Sequence, residues 1–269
     1  MEAILRLATA DIDDQLTLKL QFSATRLWSP PLKILRYKRL QSTNTTAYRL
    51  AQQSAPEWTV IVADVQTRGR GRGRNKWESP NGGLWLSIVL RPNLPSPRLH
   101  FLQYLAATAM KKAIENETGL SVMLKWPNDL VLGNAKLGGI LIESKTQGEK
   151  VLFAILGIGL NVNQGKAQLP SGATSLHIIS GKKYDLSLLL RPILNQLRWE
   201  YDDLDQPSKV MEDWWRNCIH RPLRVQVTLP KGNLTGITRS VAEDGSLMIE
   251  TDDHKIRKVN EGSLRILND

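Results

Sequence analysis

The chain is poor in the residues that would declare many kinds of function outright. Its 269 residues include one cysteine, Cys218, so an internal disulfide framework is excluded and a reducing compartment is implied. Its four histidines, His100, His177, His220 and His254, lie far apart and show no metal-ligand spacing. No apolar run approaches a membrane span. A secretory leader is not expected, because Asp11, Asp13 and Asp14 interrupt the first residues and no long apolar core follows. Together these absences predict a cytoplasmic protein. Acidic residues are the scarcer charge: 36 Lys and Arg against 26 Asp and Glu leave a net charge of +10. That excess suits nucleic acid, nucleotide phosphates or an acidic protein partner, and does not choose among them.

What is present centres on Gln66–Pro80, QTRGRGRGRNKWESP. Arg68, Arg70, Arg72, Arg74 and Lys76 alternate with Gly69, Gly71, Gly73 and Asn75, and Trp77 closes the run. Apolar strands are predicted on either side, at 59–65 and 85–90. Glycine permits positive φ and close backbone approach, and arginine offers planar charged forks for carboxylate or phosphate. The expectation is a mobile cationic loop that orders around an anion.

In chain order, 1–31 is irregular, with a short strand expected near 16–22 and too little length for a helix-turn-helix. A strand at 32–37 leads to Gln41-Ser42-Thr43-Asn44, where Ser42 or Thr43 is expected to cap a helix reaching Gln53. Ser96 is expected to cap a long helix that starts at Pro97 and stops at Gly119. A strand at 121–125 ends in KWPNDL. Gly133-Asn134 turns the chain into KLGGILIE, whose Gly138-Gly139 pair suggests close backbone approach. The strand 151–160 ends in Asn161 and Asn163. Pro192 should kink or restart a helix over 185–201, and Ser208 should cap another to Asn217. From Arg221 on, short alternating runs separated by Lys231-Gly232, Asp244-Gly245 and Asp252-Asp253 read as a small antiparallel β unit. The predicted domains are an extension, 1–31, a catalytic domain, 32–219, and a C-terminal SH3-like β-barrel, 220–269.

The polar STN junction, the GRGRGRNKW loop, the KWPNDL turn, the KLGGIL strand and the GIGLNVN strand end occur in an order that resembles the biotin–protein ligases. The resemblance covers roughly Leu32 to the C-terminus. It implies an α+β fold of the class II aminoacyl-tRNA synthetase/biotin ligase type: a mixed, mainly antiparallel sheet with helices, plus the C-terminal barrel. It implies an ATP-dependent biotin–[acetyl-CoA-carboxylase] ligase, with biotin and MgATP as substrates. Biotin is activated to biotinyl-5′-AMP and passed to a lysine of a biotin carboxyl carrier domain. No DNA or membrane partner is expected.

By the same resemblance Ser42, Thr43, Asn44 and Gln66 bind the biotin head group, whose ureido ring needs donors and acceptors. Arg70, Gly71 and Arg72 wrap the biotin tail and the adenylate, with Arg72 also a catalytic group. Lys125 contacts the carboxylate and the reacting phosphate as the main electrostatic catalyst. Trp77 covers the adenine or belongs to the core. Lys136 and Asn161 fall on the nucleotide side, and Gly138 and Gly139 on the biotin side. Asp129 orients a metal or caps its turn; no metal ligand set is assigned. The family loop commonly reads GRGRxGRxW, so here the glycine and arginine after Arg72 are shifted by one and Asn75 stands where an arginine is common. Two other readings remain open. A lipoate–protein ligase or octanoyltransferase would share the fold but has no use for the Ser42–Asn44 and Gln66 cluster. An RGG-type RNA-binding segment would normally be longer and flanked by low-complexity sequence.

Overall fold

The computed structural model describes residues 32–267 except Arg74 and Lys231. The expected strand near 16–22 and the reading of 1–31 as an extension too short for a DNA-binding domain lie outside the described residues. The described residues fall into two compact units, one made of 32–93 with 138–186 and one of 94–137 with 187–267.

The first unit is a sheet. Its strands are β1 (Lys33–Leu40), β2 (Thr59–Gln66), β3 (Leu84–Leu90) and, later in the chain, β6 (Ala135–Gln147) and β7 (Lys150–Leu160), ordered β1-β2-β3-β7-β6. β1 runs parallel to β2 and every other neighbour is antiparallel, so the sheet is mixed and mainly antiparallel. β3 is buried along its whole length, as its continuous apolar run LWLSIVL requires. Opposite residues on antiparallel strands share a face, as do residues two apart. Ile61, Ser87, Gly157 and Leu141 therefore line one face, with Glu143, Ile155 and Gly159 on the same side. The helix α1 (Thr43–Gln52) packs on that face through Ala47 and Ala51, which meet Ile61, Val89, Phe153 and Ile155. Ser42 occupies the N-cap position as expected, but its side chain makes no capping bond. A short helix, α3 (Leu176–Ser180), was not foreseen; Ser175 caps it by accepting from the Ile178 amide.

The second unit holds the long helix α2 (His100–Thr118), the hairpin β4 (Met123–Lys125) and β5 (Asp129–Leu132), the helices α4 (Leu186–Tyr201) and α5 (Pro207–Arg216), and the C-terminal strands. α2 stops at Gly119, whose φ of 70° is the left-handed C-cap that glycine favours. Its start differs from expectation. Ser96–Arg98 form a 3₁₀ turn that runs directly into the helix, so α2 begins at His100 with no side-chain cap. α4 continues through Pro192 rather than restarting, and Leu188, four residues back and without an amide from Pro192 to accept, is 69% exposed. α5 starts two residues early, with Pro207 in its first turn, so Ser208 lies inside the helix and does not cap it.

Strands β8 (Arg224–Leu229), β9 (Gly232–Val241), β10 (Leu247–Glu250), β11 (Ile256–Val259) and β12 (Ser263–Ile266) form a five-stranded antiparallel sheet ordered β11-β10-β9-β8-β12. It is joined to the rest of this unit at its β9–β10 turn. The Gly245 carbonyl accepts from Tyr104 Oη at 2.8 Å and from Trp126 Nε1 at 3.1 Å. Among the described residues no helix is long and apolar enough to cross a membrane.

Candidate active site

In the first unit, α1 delivers the Ser42–Asn44 junction to the sheet. All three residues are buried, an unusual environment for polar side chains unless they are hydrogen-bonded. Gln66, at the end of β2, accepts on Oε1 from the Thr43 amide at 2.7 Å and from the Thr43 hydroxyl at 3.1 Å. Its Nε2 donates to Ser79 Oγ at 2.8 Å. Ser87 Oγ lies 2.8 Å from Thr43 Oγ1 and 2.6 Å from Asn44 Oδ1. Asn44 Nδ2 donates to Glu143 Oε2 at 2.8 Å, and the second oxygen of Glu143 pairs with the Arg70 guanidinium at 2.6 Å. Thr43, Asn44, Gln66 and Arg70, singled out from the sequence, thus belong to one hydrogen-bonded chain.

Three members of that chain escaped the sequence reading: Ser79, Ser87 and Glu143. A signal for two of them existed. Ser87 is the lone polar residue in LWLSIVL, and Glu143 ends the apolar run GGILI.

The cationic loop is a hairpin rather than an open coil. Gln66 bridges Ser79 and Arg70 bridges Lys76, and the Trp77 amide donates to the Gly69 carbonyl at 3.0 Å. The tip is closed by Gly71 N–H to the Asn75 carbonyl at 2.9 Å. The glycines serve different ends. Only Gly73 uses positive φ, at 60°. Gly69 is needed for close approach, because a Cβ there would lie 2.3 Å from the Trp77 carbonyl. Arg72 is half-buried beside this tip.

Bare backbone in β6 and β7 makes room on the functional face. Gly139 pairs with Gly159 on that face, whereas Gly138, opposite Leu160, points to the other side of the sheet. A Cβ on Gly138 would meet the Gly159 carbonyl at 2.9 Å. One on Gly157 would strike Asn44 Oδ1 at 2.1 Å, and one on Gly159 would strike the Trp77 ring at 2.6 Å. Trp77 therefore lies across Gly159, edge to face with Trp85 at 6.4 Å and 71°. Asn161 is buried and donates from Nδ2 to the Thr174 carbonyl at 3.0 Å, which holds the chain leading into α3.

In the second unit Lys125 ends β4, directly opposite Asp129 on β5. Burial lowers the Lys125 pKa, the Asp129 carboxylate opposes that shift and Lys136 adds to it. Asp129 is itself paired with Lys136 Nζ at 2.6 Å. So Lys125, Asp129 and Lys136 form a cluster with one more positive charge than negative. Beside Lys125 opens a cavity of about 300 Å³, whose wall includes Asn134, Ile219 and, from β12, Leu264 and Arg265. His220, fully buried, accepts on Nε2 from the Trp126 amide at 3.0 Å. Burial holds its pKa down at about 4, and the nearby Lys125 charge acts in the same direction. Among the described residues no group of three or more His, Cys, Asp or Glu side chains could hold a metal ion.

The model of the biotin/lipoate A/B protein ligase family matches residues 37–161. The bifunctional ligase/repressor BirA of Bacillus subtilis is 34% identical over 236 residues, covering 84% of this chain and 72% of that protein. The chain belongs to this ligase family. Within it, the biotin–[acetyl-CoA-carboxylase] ligase of Paracoccus denitrificans is 37% identical over 127 residues, 46% of this chain and 52% of that one. The biotin protein ligase of Aquifex aeolicus, solved in complex with biotin and ATP, superposes with a TM-score of 0.72 at 28% identity. That match covers 88% of this chain and 99% of the other. The family model takes in α1, the cationic hairpin, the KWPNDL turn and the β6–β7 glycines, the elements that carry the sites described above.

Proposed function

We propose that the protein is a biotin–protein ligase that makes biotinyl-5′-AMP from biotin and ATP and transfers biotin to a carrier lysine. The observation that carries this reading is the hydrogen-bonded chain Gln66–Thr43–Ser87–Asn44–Glu143–Arg70, buried at its centre and open to water at Arg70. It presents amide, hydroxyl and guanidinium groups together on one face of the sheet, beside β strands stripped of side chains at Gly139, Gly157 and Gly159. A neutral ureido ring with a carboxylate tail requires that mixture of donors, acceptors and one fixed charge. A lipoyl or octanoyl group carries no ureido ring, and this favours biotin as the acid.

In the first step a biotin carboxylate oxygen attacks the α-phosphorus of ATP, a new O–P bond forms and pyrophosphate leaves. Two anions must approach each other. Lys125 and Lys136, with Asp129 between them, supply net positive charge for the reacting phosphate, and Arg72 supplies more from the hairpin. Magnesium enters as part of the MgATP substrate. Ser42, Thr43, Asn44 and Gln66 fix the head group. Gly71 and Arg72 follow the tail, Gly139 leaves it space, and Trp77 with Asn161 bounds the nucleotide side. In the second step the carrier ε-amine attacks the mixed anhydride carbonyl, AMP departs and the amine gives up a proton.

The carrier partner is a biotin carboxyl carrier domain of acetyl-CoA carboxylase, the work is cytoplasmic, and 32–219 and 220–269 act as catalytic and accessory domains. Biotin-dependent exchange of labelled pyrophosphate into ATP tests the reading. Exchange with lipoate and none with biotin would overturn it.

A further inference from the structure

Glu143 has no part in the reaction outlined above, yet it joins two groups that do. It sits on β6, on the face shared with Ser87 and Gly157. Its side chain is 20% exposed, against 50% for Arg70. One oxygen accepts from Asn44 Nδ2 at 2.8 Å and the other holds the Arg70 guanidinium at 2.6 Å. With Nδ2 committed to Glu143 and Oδ1 to Ser87, the Asn44 amide can face only one way round. The carboxylate is also an internal anion, parked on an arginine that the proposed chemistry aims at a ligand anion.

We infer that Glu143 is a positioning residue with two separable tasks: it fixes the orientation of the Asn44 amide, and it holds Arg70 until the anionic end of the ligand replaces it. This rests on the biotin ligase reading. The exchange is easy, because an ion pair half open to water is weakly held. Glu143 therefore competes with the bound adenylate for Arg70. It keeps the hairpin cation paired, and the hairpin registered on β6, when no ligand is present.

Two substitutions divide the tasks. Glu143→Gln keeps an oxygen for Asn44 Nδ2 but removes the charge that competes for Arg70. Glu143→Ala removes both. Biotin-dependent pyrophosphate exchange on the full chain gives KM and kcat, and rapid dilution gives the release rate of biotinyl-adenylate. In Glu143→Gln the biotin KM should stay within twofold of wild type, and adenylate release should slow by about two- to fivefold, the range expected of a weak exposed pair. In Glu143→Ala the biotin KM should rise about tenfold, with kcat within threefold. Arg70→Ala should abolish the slowing of release caused by Glu143→Gln, since no guanidinium remains to be freed. The inference is overturned if Gln and Ala give the same KM, or if Glu143→Gln releases adenylate as fast as wild type or faster. Absence of any exchange by the wild-type chain would instead count against the ligase reading itself.

Discussion

Lys125 is a lysine whose surroundings work against its charge. Burial lowers its pKa, and Lys136 pushes in the same direction, with Asp129 opposing. If its ammonium offsets charge on the reacting phosphate, adenylation should fall with rising pH earlier than an ordinary lysine would allow. Lys125→Met should fold, keep its melting temperature, and lose adenylation by roughly 10²-fold, about 3 kcal/mol of transition-state stabilisation. Exchange rates near wild type in the variant would remove Lys125 from the mechanism. His220 makes a prediction of another kind. Its folded pKa, about 4, lies below the ordinary histidine value of 6.5, so between those limits the unfolded chain binds the extra proton. Stability from this group is complete above pH 6.5 and is lost as pH falls toward 4, by on the order of 3 kcal/mol at most. His220→Gln, which retains an acceptor for the Trp126 amide, should show a smaller drop in urea midpoint between pH 7.5 and pH 5 than wild type. Equal drops would place the pH sensitivity elsewhere. Lys125 could be picked out of the sequence because WPND follows it, whereas His220 stood among four scattered histidines with nothing to mark it as buried.

Strand β7 shows how an element can be shaped by what it omits. Its alternate glycines, Gly157 and Gly159, face the same side, with Asn44 over the first and Trp77 over the second. Gly157→Ala would drive a methyl group into the Asn44 amide, whose orientation Ser87 and Glu143 fix. It should cost about 1–3 kcal/mol of stability and raise the biotin KM while leaving the ATP KM near wild type. An ATP KM that rose in parallel would argue that Asn44 does not serve the biotin side alone.

At this scale the sequence was informative wherever period and punctuation agreed. The β3 run, the stop of α2 at Gly119 and the turn at Gly133-Asn134 all appear where residue chemistry puts them. It misled where local signals competed with context. Ser96 looked like a helix cap, but the segment preferred a 3₁₀ turn feeding α2. Pro192 was expected to kink or restart a helix, but α4 is one helix running through it without a restart. The glycine-rich hairpin looked like a free loop, because the ladder Gln66–Ser79 and Arg70–Lys76 depends on a register no local pattern announces. Glu143 was missed for a related reason: its partners Asn44 and Arg70 are 99 and 73 positions away in the chain.

For the whole molecule, the net charge of +10 allowed several partners, and the distribution of that charge separates them. Arg70 and Lys76 sit on an ordered ladder and Arg70 pairs with a carboxylate on β6, unlike an extended arginine–glycine segment gathering phosphates along RNA. The second unit joins the candidate phosphate-binding lysines to the C-terminal sheet, whose β12 contributes to the cavity beside Lys125. Recognition of the acid and charge for the phosphate are thus supplied by different stretches of the chain, and both must act for the adenylate to form. The most direct test is therefore pyrophosphate exchange by the full chain with MgATP and either biotin or lipoate. Exchange that requires biotin, and that Lys125→Met suppresses by about 10²-fold, is the predicted result. Exchange driven by lipoate and indifferent to biotin would contradict the account.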